Sequence, residues 1–451
     1  MKGTTVSDTS TNKPSIATAA GTVIDGVSFV PGGLGAVKGL HSIGVAAGFR
    51  RNPQRRDLAL VVSSNVAVAA GVFTKNIFCA APVIVSRKHL ERSVATNSAT
   101  PLEDGGGVRA VILNSGNANA ATGEPGLQTA IQTAQLVAEQ LGCEPHQVLV
   151  ASTGVIGNQL SIEPFRSGIP LAVAALGKDD GSDLESGLAA AEAIMTTDTV
   201  PKQAAVRFTV TQSDGVQVTY TIGGMVKGSG MIQPDMATLL GVFAIDAMIT
   251  QEAMDLALRQ AMGSSFNKVT VDSDTSTNDS IYFLATGGVA GKTINSGCPG
   301  WPIFSQALKL LCEELARQIA YDGEGATKLV TVNVKGAADD EDADLAARAV
   351  ANSPLVKTAI AGRDANWGRI AMAIGKSGAR FRQEDVSINI MGLSVCEGGL
   401  TVAFDEDEAL KRFQCPEIVI DVDLGAGDCA TRIWTCDLTH DYISINGDYR
   451  S

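Results

Sequence analysis

The chain has 451 residues, 45% of them hydrophobic and 18% charged, a globular rather than disordered or fibrous composition whose length predicts about two or three domains. Its formal net charge of -13 is offset by no Lys/Arg stripe, which works against nucleic acid as a partner but leaves room for a small anion in a locally basic pocket. Eight cysteines without a C-x-x-C pair and four scattered histidines (His41, His89, His146 and His440) argue for reduced thiols and against a disulfide framework, a zinc site or metal catalysis.

The first twenty residues, through Ala20, hold no apolar core, so neither a secretory signal nor a transit peptide is expected. Apolar runs elsewhere are broken before membrane-spanning length, which predicts a cytoplasmic protein without a membrane partner. Residues 58–72 and 108–113 are β-branched and apolar, as strands buried on both faces are. Over 127–141 the period changes: Leu127, Ala130, Ile131, Ala134, Val137, Ala138 and Leu141 form a helical stripe closed by Gly142, and a strand follows over 147–151. Residues 204–223 alternate in a β manner, and Gly223, Gly224, Gly228 and Gly230 then loosen the backbone. Helices are expected over 251–262 and 303–321, a strand over 328–334, and smaller strands over 386–391, 400–404 and 417–424. The acidic run Asp339, Asp340, Glu341, Asp342 and Asp344 reads as a helix N-terminus in solvent, not as chemistry. Strands alternating with helices point to a layered α/β protein.

Three motifs begin and fail. Gly375-Lys376-Ser377 resembles the end of a phosphate loop, but Ile370 occupies the place of the required earlier glycine. Gly33-Leu-Gly35 is followed by Lys38 where the third dinucleotide glycine belongs. Asp272-Ser-Asp274-Thr-Ser276 opens like a calcium loop, yet Thr277 replaces the turn glycine and Phe283 the bidentate acid. No metal or resident cofactor is expected.

The run 227–241, Lys-Gly-Ser-Gly-Met-Ile-Gln-Pro-Asp-Met-Ala-Thr-Leu-Leu-Gly, carries a Gly-rich turn into the pair Ala237-Thr238 and then an apolar strand. By composition alone Thr238 is a strand residue. Its chemistry changes if the bond before it is cut: an interior threonine here has no nearby histidine, whereas an N-terminal threonine carries its own base in the α-amine, whose pKa of about 7.7 to 8.0 leaves a sizeable neutral fraction near neutrality.

This run resembles the signature of the ornithine acetyltransferase family, also called ArgJ or bifunctional glutamate N-acetyltransferase. So do 114–123 (Asn-Ser-Gly-Asn-Ala-Asn-Ala-Ala-Thr-Gly), 152–157 (Ser-Thr-Gly-Val-Ile-Gly), 194–199 (Ile-Met-Thr-Thr-Asp-Thr), 322–327 (Asp-Gly-Glu-Gly-Ala-Thr), 362–368 (Gly-Arg-Asp-Ala-Asn-Trp-Gly) and 445–451 (Ile-Asn-Gly-Asp-Tyr-Arg-Ser). The resemblance spans essentially the whole chain. It implies self-cleavage between Ala237 and Thr238, Thr238 as nucleophile, and Thr153 with Gly154 as the oxyanion hole. It implies substrate binding by Lys227, Glu324, Asn446, Ser451 and one of Thr196, Thr197 and Thr199, of which Thr196 is taken. The family often ends in threonine, and Ser451 keeps the hydroxyl.

The implied substrates are N-acetylornithine and glutamate, with acetyl-coenzyme A left open as a second donor. The implied fold is an α-β-β-α sandwich of the N-terminal-nucleophile-like type with a smaller C-terminal α/β domain. The expected division is 1–247, 248–335 and 336–451. The expected mature chains, 1–237 and 238–451, stay together in an α2β2 or larger assembly. A hydrolase with the same nucleophile, water replacing glutamate, is an alternative, and an uncleaved binding protein is a second one.

Overall fold

A computed structural model of the chain describes residues 24–97, 106–176, 183–233 and 239–448. Contacts divide it into two compact units, the larger running through Glu324 and taking in Ile433–Thr435 and the stretch that opens at Asp441.

In the larger unit one strand, Leu58–Phe73, serves two layers. Its first half pairs with Leu40–Val45 and with Val108–Asn117, until the register breaks between Val62 and Ala67. Beyond the break, Val68–Phe73 pairs with Ser280–Ala285. The first layer continues to Val148–Val155, parallel to Val108–Asn117. The second runs from Ser280–Ala285 to Leu240–Ile245, Gln217–Lys227, Lys202–Thr211 and Val27–Val30.

Side-chain alternation then builds three apolar interfaces. Between the layers, Leu240, Val242, Ala244, Tyr282 and Leu284 meet Ala59, Val61, Val111, Leu113 and Leu149. Outside the first layer, Leu58, Leu60, Ala110, Ile112 and Val150 pack under helices Ala81–Asn97, Gly123–Leu141 and Glu163–Ala175. Outside the second, Phe243 meets Phe266, and Phe283 stacks on Phe304 of helix Trp301–Tyr321; each such ring gains about 1.5–3 kcal/mol from burial. The order is therefore helix, sheet, sheet, helix, as the resemblance implied. All six residues of Leu240–Ile245 and of Ser280–Ala285 are buried, the pattern of a parallel pair covered on both sides.

The helix 127–141 appears as Gly123–Leu141, with Gly142 left-handed at its end. The alternating stretch 204–223 divides into Lys202–Thr211 and Gln217–Lys227, an antiparallel pair whose loop is closed by Gln212 N donating to Val216 O at 2.8 Å.

The smaller unit holds Gly325–Arg432 and Cys436–His440. In its sheet Leu329–Ala337 runs parallel to Glu417–Asp423, which pairs in turn with Ser387–Ile390. That first strand belongs here by its pairing, so the division falls at Glu324/Gly325 and not at the expected 335/336, and the segment 248–324 stays with the larger unit. The acidic run caps helix Asp340–Ala351: Asp339 accepts from Asp342 N, and three acids fill the first turn.

Candidate active site

The site lies at the ends of the larger unit's strands. Thr153 and Gly154 close strand Val148–Val155, in register with Ser115 and Gly116 until the pairing shifts at Asn117. Gly154 has φ +132°, and a side-chain carbon on it would sit 2.4 Å from the Gly116 carbonyl carbon. Only glycine brings two backbones this close. These two strand ends are clamped by Asn278, whose Nδ2 donates to Ala118 O at 2.5 Å and to Ser152 O at 2.8 Å.

A buried ion cluster ties three further loops together. Lys202 Nζ lies 2.7 Å from Asp198 Oδ1 and 2.6 Å from Asp322 Oδ2. Asp198 also accepts from Gly228 N at 2.7 Å and Thr196 N at 2.8 Å, and Asp322 accepts from the Thr199 amide and hydroxyl. Burial opposes ionisation of both Lys202 and Asp198. It is outweighed: the two carboxylates hold the Lys202 pKa above its ordinary value, and Lys202 with Lys227 holds Asp198 well below the carboxylate range. Thr199 is thus spent on the scaffold, while Thr196 and Thr197 face the cavity.

Glu324 is held by its own amide, which donates to Ser229 O at 3.0 Å. Its Oε2 accepts from Asn446 Nδ2 at 2.7 Å. The side chain fits because Gly230 has none: a carbon there would be 2.4 Å from the Glu324 carboxyl carbon. Asn446 stands on helix His440–Asp448, so the chain's last described turn is docked on the site.

These groups surround a cavity of about 170 Å³ to which Thr153, Gly154, Thr196, Lys227, Glu324 and Asn446 all contribute. Lys227 makes no hydrogen bond or ion pair with a described residue, and burial pushes its pKa down against the pull of Asp198. Leu239, the residue after Thr238, also lines the cavity. Ala237, Thr238 and Ser451 lie outside the described residues.

One wall lies beyond the expectations drawn from sequence: Ser276, Thr277, Asn278 and Asp279. Asp279 is 2% exposed, with no hydrogen bond at Oδ2 from any described residue, and burial raises its pKa well above the carboxylate range, opposed by Ser276 and Lys227. The signal is an unbroken polar run, 272–280, ahead of the apolar 281–285; the failed calcium loop at its start masks it. Among the described residues no cluster of three or more His, Cys, Asp or Glu is arranged to hold a metal, and no helix is long and apolar enough to cross a membrane.

Two sheets between helices, with a cavity at their edge that offers a hydroxyl, an ammonium and a carboxylate together, define an α/β enzyme with a pocket for a small charged ligand. The chain belongs to the ArgJ family, whose model matches residues 41–451. The arginine biosynthesis bifunctional protein ArgJ of Symbiobacterium thermophilum is 45% identical, covering 94% of this chain and 100% of that one. The protein of the same name from Bacillus subtilis is 41% identical, covering 95% and 98%. Among solved structures, ArgJ from Bacillus halodurans is 44% identical with a TM-score of 0.44, covering 45% of this chain and 96% of that chain. Ornithine acetyltransferase complexed with ornithine, from Mycobacterium tuberculosis, is 36% identical with a TM-score of 0.38, covering 47% and 100%.

Proposed function

We propose that the protein is a self-cleaving acetyltransferase of arginine biosynthesis, moving the acetyl group of N2-acetyl-L-ornithine to L-glutamate through an ester on Thr238. The supporting observation is convergence: the Thr153–Gly154 strand end, Lys227 and the Glu324–Asn446 pair face the same cavity as Leu239, the neighbour of Thr238. Cutting the 237–238 bond frees the Thr238 α-amine, which takes the hydroxyl proton as Oγ attacks the acetamide carbonyl. Thr153 hydroxyl and Gly154 N–H donate to the oxyanion. The C–N bond then breaks, and ornithine leaves with the proton on its nitrogen. Neutral glutamate amine attacks the ester in the second half, and the proton it loses returns to Thr238 Oγ through the same α-amine.

Lys227 serves the α-carboxylate that both substrates carry, as a point charge. Glu324, steadied by Asn446, serves the free side-chain ammonium of N-acetylornithine, and Thr196 and Ser451 complete the contacts. The two fragments stay together, a proposal supported by Leu240–Ile245 pairing with Gln217–Lys227 across the cut, and assemble as α2β2 or larger in the cytoplasm. No resident cofactor takes part. Acetyl-coenzyme A is the second donor we propose, its thioester reaching the same acyl-threonine.

Initial rates over both substrates test the scheme. Parallel double-reciprocal lines are expected, and intersecting lines contradict the acyl-enzyme. Ornithine release that does not rise with glutamate makes the protein a hydrolase instead. Thiol release from acetyl-coenzyme A, dependent on glutamate, tests the second donor.

A further inference from the structure

Self-cleavage raises a chemical difficulty of its own. Until the 237–238 bond is cut, the Thr238 nitrogen is an amide and cannot accept a proton, so the base of the mature enzyme does not yet exist. None of the four histidines lines the cavity; its titratable side chains among the described residues are Lys227, Glu324 and Asp279. Glu324 is engaged with Asn446. Lys227 is a cation that ordinarily donates.

Asp279 differs from both. Its side chain is buried, Ser276 holds one part of it, and Oδ2 has no partner among the described residues although Asp279 lines the cavity. A buried carboxyl oxygen left without a hydrogen bond is destabilising, so its persistence here wants a reason. Its position supplies one. Leu240 is in register with Ser280, and Ser280 N donates to Leu239 O at 3.0 Å. The bond to be cut therefore joins the residue one Cα step, about 3.8 Å of chain, before a residue already hydrogen-bonded to the neighbour of Asp279.

Given self-cleavage at the 237–238 bond, on which the assignment rests, we propose that Asp279 is the proton-transfer group of maturation. Its Oδ2 takes the Thr238 hydroxyl proton as Oγ attacks the Ala237 carbonyl carbon, and hands it to the departing Thr238 nitrogen. The C–O bond forms, the C–N pair leaves with nitrogen, and the product is an Ala237 ester on Thr238 beside a neutral α-amine. Asp279 begins and ends as a carboxylate. Water then cleaves the ester, restoring the hydroxyl and releasing the Ala237 carboxylate with one proton. Burial favours the transfer by making the carboxylate a stronger base than a solvated one. Asn278, one residue away, fixes the strand end that receives the oxyanion, so proton transfer and charge stabilisation share one short segment.

The test tracks the full-length precursor to its fragments on denaturing gels, with intact masses, for wild type, Asp279→Asn and Asp279→Glu. Asp279→Asn, nearly isosteric, should slow cleavage by about 100-fold or more while still unfolding cooperatively. Asp279→Glu keeps a carboxyl and should cleave faster than Asp279→Asn. Wild-type cleavage should quicken as pH rises through a midpoint above the usual carboxylate range, a dependence absent from Asp279→Asn. The charged groups around that titration are Lys227, two strands away in the same sheet by way of Leu240, Glu324 across the cavity, and Asp272 and Asp274 on the segment of Asp279 itself. Cleavage of Asp279→Asn at the wild-type rate overturns the proposal. So does a folded Asp279→Glu chain that cleaves about 100-fold or more slower than wild type, which decides the matter even if the asparagine variant does not fold. A wild-type chain that stays whole would instead refute self-cleavage itself, a different failure.

Discussion

Lys202 and Lys227 are near neighbours across one pair of strands, since Lys202 is in register with Val226. Both are buried. Lys202 sits between two carboxylates within hydrogen-bond reach, and its pKa rises; Lys227 has no such partner among the described residues, and its pKa falls. A buried charge that is fully met is scaffold. One left short of its counter-charge and facing a cavity is kept for a ligand that brings the missing charge.

The largest effect should come from breaking the satisfied cluster. Lys202→Met removes the ammonium that Asp198 and Asp322 share in the interior, and chemical denaturation should register a loss of about 3–5 kcal/mol. A loss below about 1 kcal/mol would erase the distinction between the two lysines. Asp246 is the next case, a buried carboxylate that accepts from Thr221 N at 2.8 Å but has no ion-pair partner among the described residues; burial lifts its pKa to about 6. Its folded pKa lies above the unfolded value, so its contribution to stability is fully present below about pH 4 and is lost as pH rises through 6. Asp246→Asn should match wild type near pH 4 and exceed it by about 2–3 kcal/mol at pH 8. Equal stability at both pH values would place the carboxylate in water.

Lys227→Met should behave oppositely to Lys202→Met. Its melting temperature should hold or rise, while kcat/KM for N-acetylornithine falls about 10- to 100-fold, the worth of one charge-assisted contact. Unfolding of this variant as severe as that of Lys202→Met would mean that Lys227 is scaffold too. Smallest is Asn446→Ala, which frees Glu324 from one hydrogen bond. KM should rise about 3- to 10-fold with kcat little changed, and an unchanged KM would detach the C-terminal helix from the pocket.

Local pattern made much of the fold legible. The stripe of 127–141 ends at a glycine that is indeed left-handed, and the apolar runs are strands because β-branched residues suit a sheet covered on both sides. The alternation across 204–223 concealed a turn, although Ser213-Asp214-Gly215 carries turn chemistry. In the site, Thr153 and Gly154 were readable only as polar residues beyond the strand 147–151, whereas the structure carries that strand through them to Val155. The ion cluster was not, because Lys202 and Asp322 are 120 positions apart and only the packing of helix Trp301–Tyr321 on strand Lys202–Thr211 brings them together. Asp279 was hidden for a related reason: its role depends on standing one position before a residue in register with Leu240, which no spacing along the chain reveals. Asn446 entered through resemblance alone, since a residue near a chain end has no local pattern that announces a docked helix.

The central claim is that Thr238 becomes a nucleophile by becoming a terminus. N-terminal sequencing of the purified protein, with intact masses of its chains, tests that most directly. Wild type should yield a second chain beginning Thr-Leu-Leu-Gly, and Thr238→Ala should remain one full-length chain without acetyl transfer. A wild-type protein that transfers acetyl groups as a single uncut chain, or a Thr238→Ala protein that keeps its activity, would contradict it.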